Sequence, residues 1–164
     1  MKKAALIIVL CLILNLTACT SEISYHEYVK TFCGLDISGS TIVSGEDSHG
    51  GFLGDGALMV EFDCTQISDA LTSKMSGWNP MPLSENLNLV MYGGTKDGTV
   101  YAHELAEKYG IPEIKNGYYY FVDRHAKSTD PSSDAALFSQ LSYNFTLVIY
   151  NSDNAHLYLF ELDT

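Results

Sequence analysis

Between Glu46 and Gly56 the chain reads EDSHGGFLGDG, which places Asp47, His49 and Asp55 within nine residues of one another. Imidazole and carboxylate are the side chains for acid–base work near neutral pH and for holding hard or borderline metal ions. Glycines between them let a backbone turn its carbonyls toward an ion. The acids lack the alternating spacing and closing glutamate of an EF-hand, and no G-K-[ST] is present for a phosphate loop. The same composition suits the wide tip of a β-hairpin. Phe52 and Leu53 would then either fold back on the domain or stand out as a recognition knob. Asp47, His49, Phe52, Leu53 and Asp55 form the candidate binding loop, and neither a metal nor a cofactor is assigned to it.

Other chemical groupings are weaker. His103 and Glu107 sit four apart in HELAE, but the second histidine of an H-E-x-x-H zinc helix is missing, which favours a surface pair. Asp123-Arg124-His125 invites a catalytic triad, yet no G-x-S-x-G elbow presents a serine. Arg124 either clamps a carboxylate ligand or pairs with Asp123 or another acid. Tyr118, Tyr119 and Tyr120 could stack on glycan rings or fill a half-buried sheet face, and Trp78 could join an aromatic patch or cap a helix.

These residues must be held by elements of both kinds. Ser40–Ser44 and Ala57–Cys64 are β-prone, and Leu58, Val60, Phe62 and Cys64 alternate with Met59, Glu61 and Asp63 as in a half-buried strand. His26–Phe32 reads as a helical turn or a first strand. Helices are predicted at Ile67–Met75, at ENLNLVMY behind an N-cap at Ser84, within AHELAEKYG, and at Ala135–Leu141, with GGTKDGT as a loop. YYYFVDR follows the Asn116-Gly117 turn signal, and NFTLVIY and HLYLFEL flank NSDNA as a hairpin. The fold class expected is α+β: a single antiparallel sheet of about five strands, with N-terminal and C-terminal hairpins and helices packed on one face.

The N-terminus carries a separate signal. Lys2 and Lys3 precede an apolar run from Ala4 to Leu14, too short for the roughly 20 residues of a membrane-spanning helix but suited to a signal peptide. Leu16-Thr17-Ala18-Cys19 resembles the lipobox of bacterial lipoproteins. The resemblance covers residues 1–19 and implies that residues 1–18 are cleaved and that Cys19 receives the lipid. Residues 19–25 would be a short tether and residues 26–164 one globular domain. Two or more acyl chains hold a protein stably at a membrane, at about 0.8 kcal/mol for each buried CH₂. The expected location is extracytoplasmic, at the cell membrane or the outer membrane.

Acidity limits the partners. The chain holds 20 acids against nine Lys and Arg, two of which lie in the signal segment. Nucleic acid is excluded as a partner, because its binding rests on basic side chains neutralising phosphates. Cys33 and Cys64 are either a disulfide of an oxidising compartment or two small buried hydrophobes. The reading that unites these features is a non-enzymatic, lipid-anchored envelope protein binding a protein or glycan partner. The rivals are a small extracytoplasmic metal-dependent or histidine-based hydrolase, with His49 as base or ligand, and an immunity or inhibitor lipoprotein. Beyond the lipobox the chain looks like uncharacterised bacterial lipoproteins in general.

Overall fold

A computed structural model describes residues 24–50, 54–102, 105–125 and 128–164. Helix α1 (Tyr25–Cys33) begins where the Ser24 hydroxyl accepts the Glu27 N–H and ends at Gly34, which turns left-handed at φ +73°. Strands β1 (Thr41–Asp47) and β2 (Gly56–Asp63) follow. A 3-10 turn at Thr65–Ile67 leads into helix α2 (Ser68–Thr72), and β3 is Asn79–Pro80. Helix α3 (Glu85–Tyr92) is capped by the Ser84 hydroxyl, which accepts the Leu87 N–H. A hairpin of β4 (Gly94–Lys96) and β5 (Thr99–Tyr101) precedes α4 (Leu105–Lys108), and β6 (Gly117–Asp123), β7 (Asn144–Asn151) and β8 (His156–Asp163) complete the chain.

The main sheet has six antiparallel strands in the order β1-β2-β8-β7-β6-β3. The C-terminal strands form a meander, and the N-terminal hairpin docks on its last strand. Both faces are buried, which corrects the expected single helical face. Phe145, Leu147 and Ile149 of β7 join Leu87, Val90 and Met91 of α3 and Ala106 of α4. Val148 and Tyr150, of opposite parity, join Val29 of α1 and Leu71 of α2. NFTLVIY and HLYLFEL are apolar at both parities, and such strands need cover on both sides.

Further corrections have local causes. The sheet has six strands rather than about five because Asn79–Pro80 adds a short edge, and backbone pairing lengthens β1 through Gly45, Glu46 and Asp47, whose composition reads as a turn. GGTKDGT is a two-stranded hairpin: Asp97 at φ 51° and Gly98 at φ 78° supply the two left-handed residues of a type I′ turn. Ala135–Leu141 is a run of turns instead of a helix. There the Leu137 N–H reaches only back to Asp134 and Ser139 to Ala136. The helix expected over Ile67–Met75 stops at Thr72, and the next turn closes on Leu71 and Thr72.

The tyrosine strand is packed rather than displayed. Tyr119 faces the α3 side, and Tyr120 lies against Trp78 and Phe32 with ring centres 5.7 Å and 5.8 Å away. Cys33 and Cys64 are free thiols within the α1 side of the core, and burial pushes both up to about 11. Gly117 is the tightest point of the meander. A Cβ there would stand 1.9 Å from the Tyr150 carbonyl oxygen, at a φ of +144°. Gly117→Ala is therefore expected to lower unfolding stability by about 3 kcal/mol, read from urea titration, because steric collision adds to backbone strain.

Candidate functional site

The acidic end of β8 breaks its apolar pattern. Leu157 and Leu159 are buried against α1, and the next two residues of the same parity are Glu161 and Asp163. Thr146 of β7 lies directly beside Glu161 and donates to it at 2.8 Å. Tyr28 of α1 donates to the same Glu161 oxygen at 2.5 Å, and Arg124, just past β6, approaches it at 3.4 Å. Burial, and then this carboxylate, push the Tyr28 phenol up to about 12. Arg124 also donates to Asp163 at 3.0 Å and to the Phe145 carbonyl at 3.3 Å.

Asp163 carries the network to the loop. His49 brings Nε2 to Asp163 at 3.0 Å and Nδ1 to Asp47 at 2.7 Å. Gly56 makes this reach possible: it is the β2 residue directly opposite Asp163, and His49 lies across it. A Cβ at Gly56 would stand 2.5 Å from both the nitrogen and the Cα of His49. The Ser48 hydroxyl fastens the neck, accepting the Ala57 N–H at 2.9 Å and donating to its carbonyl at 3.0 Å. The His49 backbone N–H holds the Asp47 carboxyl below its ordinary range, helped by the ring and opposed by partial burial.

Of the residues expected to form the loop site, the structure unites Asp47 and His49 and adds Asp163. Asp55 lines the adjoining cleft, a space of about 440 Å³ walled also by Ser48, Lys108, Tyr109, Asp163 and Thr164. Lys108 lies 4.8 Å from the centre of the Tyr109 ring. Phe52, Leu53 and His103 fall outside the described residues, as does Cys19. Arg124 pairs with another acid rather than with Asp123, which instead accepts the His125 N–H and the Gln140 amide. Asp163, Glu161, Thr146 and Tyr28 were missed by sequence reasoning. The available signal was two acids of one parity closing a strand whose earlier residues of that parity are leucines.

The chemistry of the corner follows from its donors and acceptors. Each ring nitrogen of His49 faces a carboxylate oxygen, so the imidazole bridges Asp47 and Asp163 across the end of the sheet. Among the described residues, no group of three or more His, Cys, Asp or Glu side chains could hold a metal, and no helix is long and apolar enough to cross a membrane. The fold and corner together define a helix–sheet–helix α+β domain with a polar clasp at one end of the sheet. No protein-family model, curated protein or solved structure matches the chain.

Arg124→Met should cost about 2 kcal/mol of stability, because it strands Glu161 and Asp163 in a half-buried setting without their cation. Arg124→Lys should recover part of that loss, since the contacts of Arg124 all run through one terminal nitrogen, which an ammonium replaces only as far as its shorter stem reaches. Urea titration of the two variants checks both. Phenolate absorbance against pH provides another test, with Tyr28 and Tyr158 ionising late, both raised to about 12 chiefly by burial. A phenol raised on folding contributes stability below its unfolded value near 10, and that stability is lost as pH climbs toward 12. Tyr28→Phe should remove one late-ionising phenol from the curve.

Proposed function

We propose that the chain is a lipid-anchored extracytoplasmic binding module, held at a bacterial membrane by acyl chains on Cys19 and meeting a protein or glycan partner at the loop end of its sheet. The lipobox-like residues Leu16-Thr17-Ala18-Cys19 support the anchor. The observation that carries the binding reading is His49, engaged at both ring nitrogens by Asp47 and Asp163. A histidine so engaged fixes the stem of the connection between β1 and β2 and presents a shaped rim. Both ring nitrogens are occupied by carboxylates of the chain itself, an arrangement suited to holding the loop for recognition. The cleft beside the clasp offers carboxylate, hydroxyl, ammonium and phenol groups within one concave surface, a mixture suited to orienting a polar partner.

One experiment covers both halves of the reading: chemical cross-linking of the chain in bacterial cells, followed by membrane extraction and mass analysis. The wild-type chain should lack residues 1–18, carry acyl chains on Cys19, and yield cross-linked envelope components. Cys19→Ser should leave the membrane fraction, and His49→Ala should stay there with its cross-links reduced. An intact N-terminus would defeat the anchor. Identical cross-links from wild type and His49→Ala would defeat the placement of the partner.

A further inference from the structure

The two edges of the main sheet are finished differently. At one edge β3 is two residues long and ends in Pro80, which has no N–H to offer another strand. At the other, β1 runs seven residues and every one is exposed, with Ile42 and Val43 at 47% and 53%. The Ser48 N–H donates to the Ala57 carbonyl at 2.9 Å, which marks a hydrogen-bonded pair. Counting back in an antiparallel ladder, Glu46 and Ser44 bond toward β2, while Gly45 and Asp47 turn their N–H and C=O groups outward. A bulge between Ile42 and Ser44 interrupts the far end. The open ladder is thus Ser44 to Ser48, with Ile42 and Val43 as an apolar step beyond it.

That ladder leads into the cleft. Ser48 follows β1 directly and is also a wall of the cleft, together with Asp55 and Asp163. The charges along the way are acidic and mostly engaged. Lys108 lies in the field of Glu46, His49 contacts Asp47 and Asp163, and Arg124 contacts Asp163. Asp55 is exposed and has no ion pair with another described residue.

We propose that β1 is a docking edge for an extended, basic segment of a partner protein, which adds to the sheet and sets a lysine or arginine against Asp55 in the cleft. The inference rests on the binding reading above and names its partner class. Main-chain bonds to Gly45 and Asp47 would supply register, and the carboxylate would supply the preference for a cation. A second copy of this chain is the poorer occupant. It would bring a strand carrying Glu46 and Asp47 and no base, on a chain with 20 acids against nine Lys and Arg.

The test uses the full chain in detergent micelles and a synthetic peptide of alternating valine and lysine, with an alternating valine–glutamate peptide beside it. Amide exchange should slow at Gly45 and Asp47 with the lysine peptide only, and the affinity should fall as salt rises. Gly45→Pro removes an outward donor, and a Cβ there meets nothing closer than 3.8 Å, so the fold should survive. It should weaken the complex about tenfold. Asp55→Asn, a change of an exposed side chain, should weaken it and flatten its salt dependence. Equal binding of both peptides, undiminished affinity in Gly45→Pro, protection elsewhere in the chain, or concentration-dependent self-association would each overturn the proposal. Cross-links in cells that depend on His49 but not on Gly45 would sink the edge while leaving the binding reading in place.

Discussion

The contact of Arg124 with Glu161 and Asp163 is the constraint around which the loop end of the sheet is arranged. It is the only arginine in the chain, and it stands where β6 ends, beside β7 and one strand away from β8. Two carboxylates of one parity at the end of a largely buried strand would repel each other and lose hydration. A guanidinium between them offsets both costs, and the hydroxyls of Thr146 and Tyr28 donate to the same Glu161 oxygen that Arg124 approaches. Tyr28 belongs to α1, so the same carboxylate ties a helix to the sheet. Asp163, held on one side by Arg124, is free to hold His49 on the other.

This chain of contacts explains why polar chemistry gathers at one end. The middle of β7 and β8 is apolar at both parities, and helices cover both faces. A charged group placed there would have no water and no partner. At the ends of the strands the helices no longer cover the sheet, and side chains can be half in solvent. Gly56 opens the last gap, since any side chain would occupy the space through which His49 crosses to Asp163. The loop is positioned by an absent side chain as much as by the ones that touch.

Sequence reasoning located the elements whose signals are local. Ser84 and Gly93 bound α3 as capping chemistry requires, and NSDNA separates the two strands it was expected to separate. It failed where distant pairing overrode composition. Gly45-Glu46-Asp47 looks like a turn and is strand, because β2 supplies partners for its backbone. Ala135–Leu141 is a different miss: it looks like a helix and is a run of turns closed by local bonds such as Leu137 to Asp134. The six-stranded order was also out of reach, since β2 pairs with the last strand of the chain.

The sequence by itself determined the α+β class, the capped α3, the C-terminal hairpin and the proximity of Asp47 to His49, all of which rest on residues close in the chain. It also contains the N-terminal pattern from Lys2 to Cys19, which depends on composition and order alone. The tertiary structure decided that His49 meets Asp163 instead of Asp55, that Arg124 serves Glu161 and Asp163 instead of Asp123, and that both sheet faces are covered. Those outcomes depend on which strands lie side by side. Strand order is set by burying apolar faces across the whole domain, and no window of neighbouring residues contains that information.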